Sequence, residues 1–189
     1  MDKSVVIKAR NLMAQQTKKN GAPAWALTEI AIENGKLFSK KYKVDGNTVL
    51  ISLYLAHTIF STKIKGKVQM NHETLSADFA QRYLMKWKVP EKERDIVVNA
   101  ILCHHDKCKP TSLEAEVMKN AECFKFLTIK GCMILIHDVG TRGMSFQDAV
   151  EFAKYKANQK LPYISLPGVK AIANRSYKDT MSLLNSWGR

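Results

Sequence analysis

Apolar residues recur every three or four positions along most of this chain, and no stretch alternates long enough to read as a strand. Residues 4–18 form a first amphipathic pattern, closed by Asn20-Gly21 and then Pro23. A second runs from about Ala24 to Tyr42, with Trp25, Ile30, Ile32, Leu37 and Phe38 on its inward face. Asp45-Gly46-Asn47 is a turn, and Asn47 or Thr48 caps a helix from about Val49 to Phe60. That helix is apolar nearly all round, so it belongs at the centre of the molecule.

Residues 61–71 form a basic, glycine-containing connector. A helix follows from His72 to Trp87, and Pro90 opens another through about His105. Asp106 to Pro110 is a loop. Thr111-Ser112-Leu113-Glu114 has the form of a capping box, starting a helix toward Thr128. Cys132 to Ile136 continues the apolar pattern, and Ser145 caps a helix to about Gln159. Pro162 and Pro167 mark a loop before a terminal helix from Gly168 to Trp187. No internal repeat, low-complexity stretch or dividing linker interrupts the series. The predicted fold class is therefore all-α: a single helical bundle domain over residues 1–189, with roughly seven to nine helices.

Composition supports a packed globule rather than a disordered chain: of 189 residues, 46% are hydrophobic and 25% charged. No apolar run approaches the roughly 20 residues a membrane span needs, and the first residues lack the apolar core of a secretory signal. A cytoplasmic location and no membrane partner are expected. The net charge of +13 draws phosphates, nucleotides, nucleic acid or anionic surfaces. Most of that charge is scattered lysine with little aromatic interleaving, which favours general anion attraction over a dedicated nucleic-acid surface. The four cysteines (Cys103, Cys108, Cys123, Cys132) are few and contain no Cys-x-x-Cys pair. Cys103 and Cys108 flank His104 and His105, but a structural zinc site usually brings a second ligand pair, and none is present. Cys103 beside His104 is only a sequence neighbour and makes no nucleophilic dyad.

Five histidines remain as candidate chemistry, at 57, 72, 104, 105 and 137. The first four fall near helix ends, and helix ends can converge at one rim of a bundle to build a metal or phosphate site. A lone histidine at a helix end is more often hydrogen-bonded structure than ligand; the set, with the carboxylates of Leu113 to Glu122, argues otherwise.

The strings LYLAHTIF (53–60), NHETLSADFA (71–80), IVVNAILCHHDK (96–107) and TSLEAEVMKNAECF (111–124) resemble successive blocks of the small HD-domain phosphohydrolases. The resemblance covers residues 24–130, with the C-terminal helices of 145–187 packed on that core. It implies hydrolysis of a nucleotide or other phosphate ester through a bound divalent metal (Mn, Fe, Ni, Zn or Mg). His57, His72, His105 and Glu122 would then be metal ligands, with Glu73 and His104 catalytic. Lys63, Lys65 and Lys67 of the connector would meet an anionic substrate at the pocket mouth, or be simply an exposed lysine loop.

The departures are specific. The family's first histidine falls on Trp25, 32 residues before His57, the aspartate of its His-Asp pair on Thr58, and its late aspartate on Glu122 with Asn120 beside it. The alternatives are thus an impaired relative that binds a nucleotide or other anion without metal, and a basic nucleic-acid-binding protein. A literal His-Asp string does occur at His137-Asp138, with His105 32 residues before it and Asp179 41 after. It comes too late in the chain to explain the earlier blocks and reads as a helix end with a glycine stop.

Overall fold

The computed structural model describes every residue except 22, 60–62, 65–66, 69–71, 106–107 and 188–189, and only the backbone of 20, 63, 64, 67 and 68. Among the described residues the protein is all-helical. Its helices are α1 (Lys3–Asn20), α2 (Trp25–Tyr42), α3 (Gly46–Leu55), α4 (His72–Lys86), α5 (Glu91–Leu102), α6 (Leu113–Phe124), α7 (Ile129–Thr141), α8 (Phe146–Lys160) and α9 (Pro167–Ser186). A 3-10 turn, Lys125–Leu127, joins α6 to α7, and another, Leu161–Tyr163, precedes α9. The connector holds a minimal antiparallel pair, β1 (Lys63–Ile64) and β2 (Lys67–Val68).

The apolar helix sits at the centre, as its patterning requires. From Thr48 to Leu55 every residue of α3 but Leu50 is buried, and the helix packs against α1, α2, α5 and α6. Burial of a Leu or Ile side chain is worth about 1.5–3 kcal/mol, so Ile51, Leu53 and Leu55 anchor this part of the core. Gly35 lets α2 approach closely, because a Cβ there would stand 2.6 Å from Leu53 Cδ1. Leu37, expected inside, is instead 61% exposed. Ile30, Ile32 and Phe38 take the buried stripe, and Leu37 lies off it.

Element ends differ from the sequence reading where a local hydrogen bond competes. Asp45, not Asn47 or Thr48, caps α3 by accepting from the Asn47 N–H, and that helix stops at Leu55. Ser112 rather than Thr111 caps α6, accepting from the Ala115 N–H at 3.1 Å. α5 ends at Leu102, before His104 and His105. A smaller apolar cluster, with Leu27 and Phe126 joined to Cys132, Leu135, Ile136, Val139, Val150 and Leu184, packs α7, α8 and α9 together. Gly131 fixes how α7 begins: a Cβ there would meet the Lys125 carbonyl oxygen at 1.7 Å. No helix among the described residues is long and apolar enough to cross a membrane.

Candidate metal centre

Three helices end around one largely buried group of four imidazoles. His57 lies in the turn that leaves α3, His72 is the first residue of α4, and His104 and His105 follow the last turn of α5. One donor atom from each of these four histidines lies within 4.8 Å of the others. Ring centroids are 4.9 Å apart for His57 and His104, 4.7 Å for His72 and His105, and 3.9 Å for His104 and His105. Adjacent residues of a continuous helix could not both face this space. His104 and His105 do so because α5 has already ended.

A covalent clip shapes that turn. Cys103 and Cys108 form a disulfide that brackets both histidines, and the Lys119 ammonium donates to the Cys108 carbonyl at 2.9 Å. The sequence reading treated these cysteines as thiols and missed the pairing; its signal was the short loop closed at both ends, Cys-His-His-Asp-Lys-Cys. On the other side of the site, Thr58 donates to the Leu55 carbonyl at 2.9 Å, and the Ile59 N–H donates to Ser76 Oγ, tying the His57 turn to α4.

Three of the imidazoles have an outer nitrogen held by an oxygen. His57 Nε2 lies 2.9 Å from Glu122 Oε1, His72 Nδ1 lies 3.4 Å from Glu73 Oε2, and His104 Nδ1 lies 2.5 Å from the Ile101 carbonyl. The Glu122 and Ile101 oxygens accept, so Nε2 of His57 and Nδ1 of His104 carry the proton and their inner nitrogens the lone pair, while Glu73 stands within ion-pair distance of His72 Nδ1. Metal-binding imidazoles are held in this way, with carboxylate or carbonyl partners fixing the tautomer. His104 gives the clearest test of fit. It is wholly buried, and its Nε2 has no hydrogen-bond partner, a loss that bound metal would make good.

His105 is held differently. Lys160, the last residue of α8, is 1% exposed and places Nζ 2.6 Å from His105 Nδ1 and 3.4 Å from the His105 carbonyl. With the amine donating, Nδ1 accepts and the proton resides on Nε2. In that tautomer His105 offers a donor at Nε2, while His104 offers a lone pair; both remain among the four clustered donors.

Glu122, expected as an oxygen ligand, has its carboxylate engaged by His57 and by the buried ammonium of Lys125, and it is not one of the four clustered donors. Burial pushes Glu122 upward, but Lys125 and His57 outweigh it and hold the carboxyl well below its usual range. Burial, then the charge on His57, draws His72 down to about 3. Burial is likewise the main cause that places His104 and His105 well below the ordinary imidazole value. The lowered values of His72, His104 and His105 favour the neutral ring, the form in which imidazole binds metal.

The remaining sequence candidates lie elsewhere. Trp25 stacks on Tyr54 at 6.4 Å, receives Arg10 over its ring, and donates to Glu29. Asn120 binds α9 to α6: its Oδ1 accepts from the Ser165 and Leu166 N–H groups, and its Nδ2 donates to the Glu116 carbonyl and Ser165 Oγ. Lys65 lies outside the described residues, as do the side chains of Lys63 and Lys67. His137 and Asp138 sit inside α7 rather than at its end. His137 is exposed, and Asp138 pairs with Arg142 one turn on. The sequence reading missed Lys125, Lys156 and Lys160 altogether; the four-residue spacing of Lys156 and Lys160 was the available signal.

No protein-family model matches this chain, and no curated protein matches it. Solved structures share its fold, among them the following two. The crystal structure of a Lactobacillus plantarum protein, a Northeast Structural Genomics target, superposes with a TM-score of 0.75 at 12% identity, over 99% of this chain and 96% of that one. The crystal structure of Bacillus subtilis YpgQ superposes with a TM-score of 0.70 at 11% identity, over 97% of this chain and 94% of that one. At these identities the likeness concerns the fold alone.

Proposed function

We propose that this protein is a metal-dependent phosphohydrolase of the HD-domain kind, acting on a nucleotide or another small phosphate ester. The observation that carries the reading is the common pattern of His57, His72 and His104. Each outer nitrogen is tied to Glu122, Glu73 or the Ile101 carbonyl, and the histidine donors converge within 4.8 Å. These three imidazoles would hold a divalent ion, with His105 beside them.

A divalent ion held there would supply Lewis-acid polarisation of a phosphoryl oxygen and would lower the pKa of water. The chain's own groups do the rest. Glu122 and Glu73 keep His57 and His72 in the ligand tautomer. His105 Nε2–H is a hydrogen-bond donor for an oxygen of the phosphate or of its leaving group. Neutral nitrogen donors suit Zn, Fe, Ni or Mn better than Mg, which prefers oxygen.

Elemental analysis of the purified protein, combined with a phosphate-ester and nucleotide screen, tests the reading. One equivalent of transition metal is expected, with activity removed by chelation and restored by the same ion. His104→Ala should lose both the metal and the activity while remaining folded. A second reading, an anion-binding relative without metal, draws on Trp25 and Thr58 at two family ligand positions and on the lysines that crowd the site. Protein that takes up no Zn, Mn, Fe or Ni but is stabilised by a nucleotide would replace the first reading with the second.

A further inference from the structure

Three lysines surround the imidazole cluster, and their charge is not balanced by the carboxylates beside them. Lys125 is paired with Glu122, and Glu122 and Glu73 are also engaged with His57 and His72. Lys160 is 1% exposed, and no described carboxylate lies within ion-pair distance of it. Among the described residues its hydrogen-bond partners are two atoms of His105. Lys156, one turn earlier on α8, is half-buried between the rings of Phe152 and Tyr155 and reaches Gln159 Oε1 only at 3.4 Å. Among the described residues, three ammonium groups thus face two carboxylates, before any metal adds to the excess.

A fully buried lysine is rare unless an anion accompanies it, because desolvating its charge costs several kcal/mol. The carbonyl-rich C-terminus of α8 relieves part of that, since a helix end offers about half a negative charge. It does not supply a counterion. A Lys placed for packing alone would run its head to solvent, as long side chains do. Lys160 instead turns its head inward onto a ring of the candidate metal centre.

We infer that Lys160, assisted by Lys156, is the anion-binding arm of this site and takes a phosphate dianion beside His105. The inference deepens the phosphohydrolase reading and rests on it for the identity of the anion. It also moves the substrate contacts from the connector lysines to α8. Two negative charges would offset the one unbalanced ammonium and part of the charge of a bound divalent ion, and three terminal oxygens offer acceptors to both amines and to His105 Nε2–H. A terminal phosphate or phosphomonoester meets that description better than a diester, which carries one charge.

The test is orthophosphate binding, followed by calorimetry on metal-free and on zinc-loaded protein. Compared are the wild type, Lys160→Met, Lys156→Met, and a variant with Lys63, Lys65 and Lys67 all changed to Ala. Lys160→Met should weaken orthophosphate at least about tenfold, the scale of one charge-assisted contact. Lys156→Met should weaken it less, and the connector variant little. Zinc stoichiometry should stay at the wild-type value in Lys160→Met, and its melting temperature should match or exceed the wild type, because removing an unpaired buried charge relieves strain. A Lys160 that merely supports the fold would instead give a lower melting temperature and unchanged phosphate affinity, and that result overturns the inference. So does a connector variant that loses phosphate while Lys160→Met retains it, or a wild type that binds none. Should Lys160→Met not fold, Lys160→Gln and Lys156→Met decide by the same comparison. Failure of every variant to take up zinc would sink the metal-dependent reading, yet the metal-free titrations would still judge the lysine arm.

Discussion

The protein contains two histidines that a motif search would weigh, and the better match is the poorer site. His137-Asp138 spells the expected pair, but both residues lie within α7, with His137 exposed and Asp138 tied to Arg142. His57-Thr58 breaks the pair, yet His57 is 4% exposed and is surrounded by three further imidazoles from two other segments. The difference is one of convergence. A ligand set needs several chain segments delivered to one point, and the helix ends around His57 accomplish this while the interior of α7 does not. Residue identity at one position says little without the neighbours that fix its tautomer.

Breaking the buried half of this comparison should have the largest effect. Glu122→Gln keeps an oxygen near His57 but leaves the Lys125 ammonium buried without its countercharge, a change that costs about 3–5 kcal/mol. Urea denaturation should show a lower midpoint with an unchanged slope. Adding Lys125→Met should recover much of that loss, since a pair removed together leaves no uncompensated charge. The double variant should still bind zinc about 10–100-fold more weakly, because His57 has lost the carboxylate that fixes it. Full stability together with full zinc affinity in the single variant would show Glu122 to be a bystander.

How much of this was legible beforehand depends on whether the deciding contacts are local. The all-helical architecture was legible, since each helix carries its own periodicity and most carry a cap or breaker. The central place of α3 followed from its lack of a polar face. Ends were less so: Ser112 and Asp45 won their caps over neighbours of equal propensity, and Leu37 falls one position away from the buried stripe. His57, His72, His104 and His105 were all singled out from sequence, and the structure brings them together. Their roles were not readable, because the proton on a ring is assigned by partners such as Ile101, Glu122 and Lys160 that are distant in sequence or supply only backbone. Lys160 lies 55 residues beyond His105, and its four-residue spacing from Lys156 was the one hint its own helix offered.

The disulfide supplies a sharper and smaller test of what sets the two regions apart. Closing so short a loop removes about 2 kcal/mol of unfolded-state entropy in the chain-entropy picture, or about 4–8 °C in melting temperature for a protein of this size. Reduction by a dithiol converts Cys103 and Cys108 to two thiols, with two electrons and two protons supplied by the reductant. The reduced protein should melt lower and bind zinc more weakly, as should Cys103→Ser with Cys108→Ser. Such a bond persists only in oxidising surroundings, so a cytoplasmic location would keep the clip open. Burial pushes the thiol of Cys123 up to about 11 and that of Cys132 up to about 12, so neither should be alkylated in the folded protein before or after reduction. Equal metal affinity in the oxidised and reduced forms would mean that the turn after α5 holds His104 and His105 without the clip.

The smallest expected effect lies at the literal motif and is informative because a string-based reading expects the largest. Asp138→Ala removes an ion pair with Arg142 across one turn of α7, in which the arginine is 43% exposed by side chain. Pairs of this type contribute about 0.3–0.5 kcal/mol and are screened by salt. His137→Ala deletes an exposed ring with no packing role. Neither should alter metal content or hydrolysis, and the double variant should melt within about 2 °C of the wild type. A metal ion held at His137 would need further ligands from outside α7, and the four clustered donors include none from that helix. Loss of metal from the His137→Ala protein with His57→Ala remaining fully loaded would therefore invert the comparison, and with it the assignment of the site.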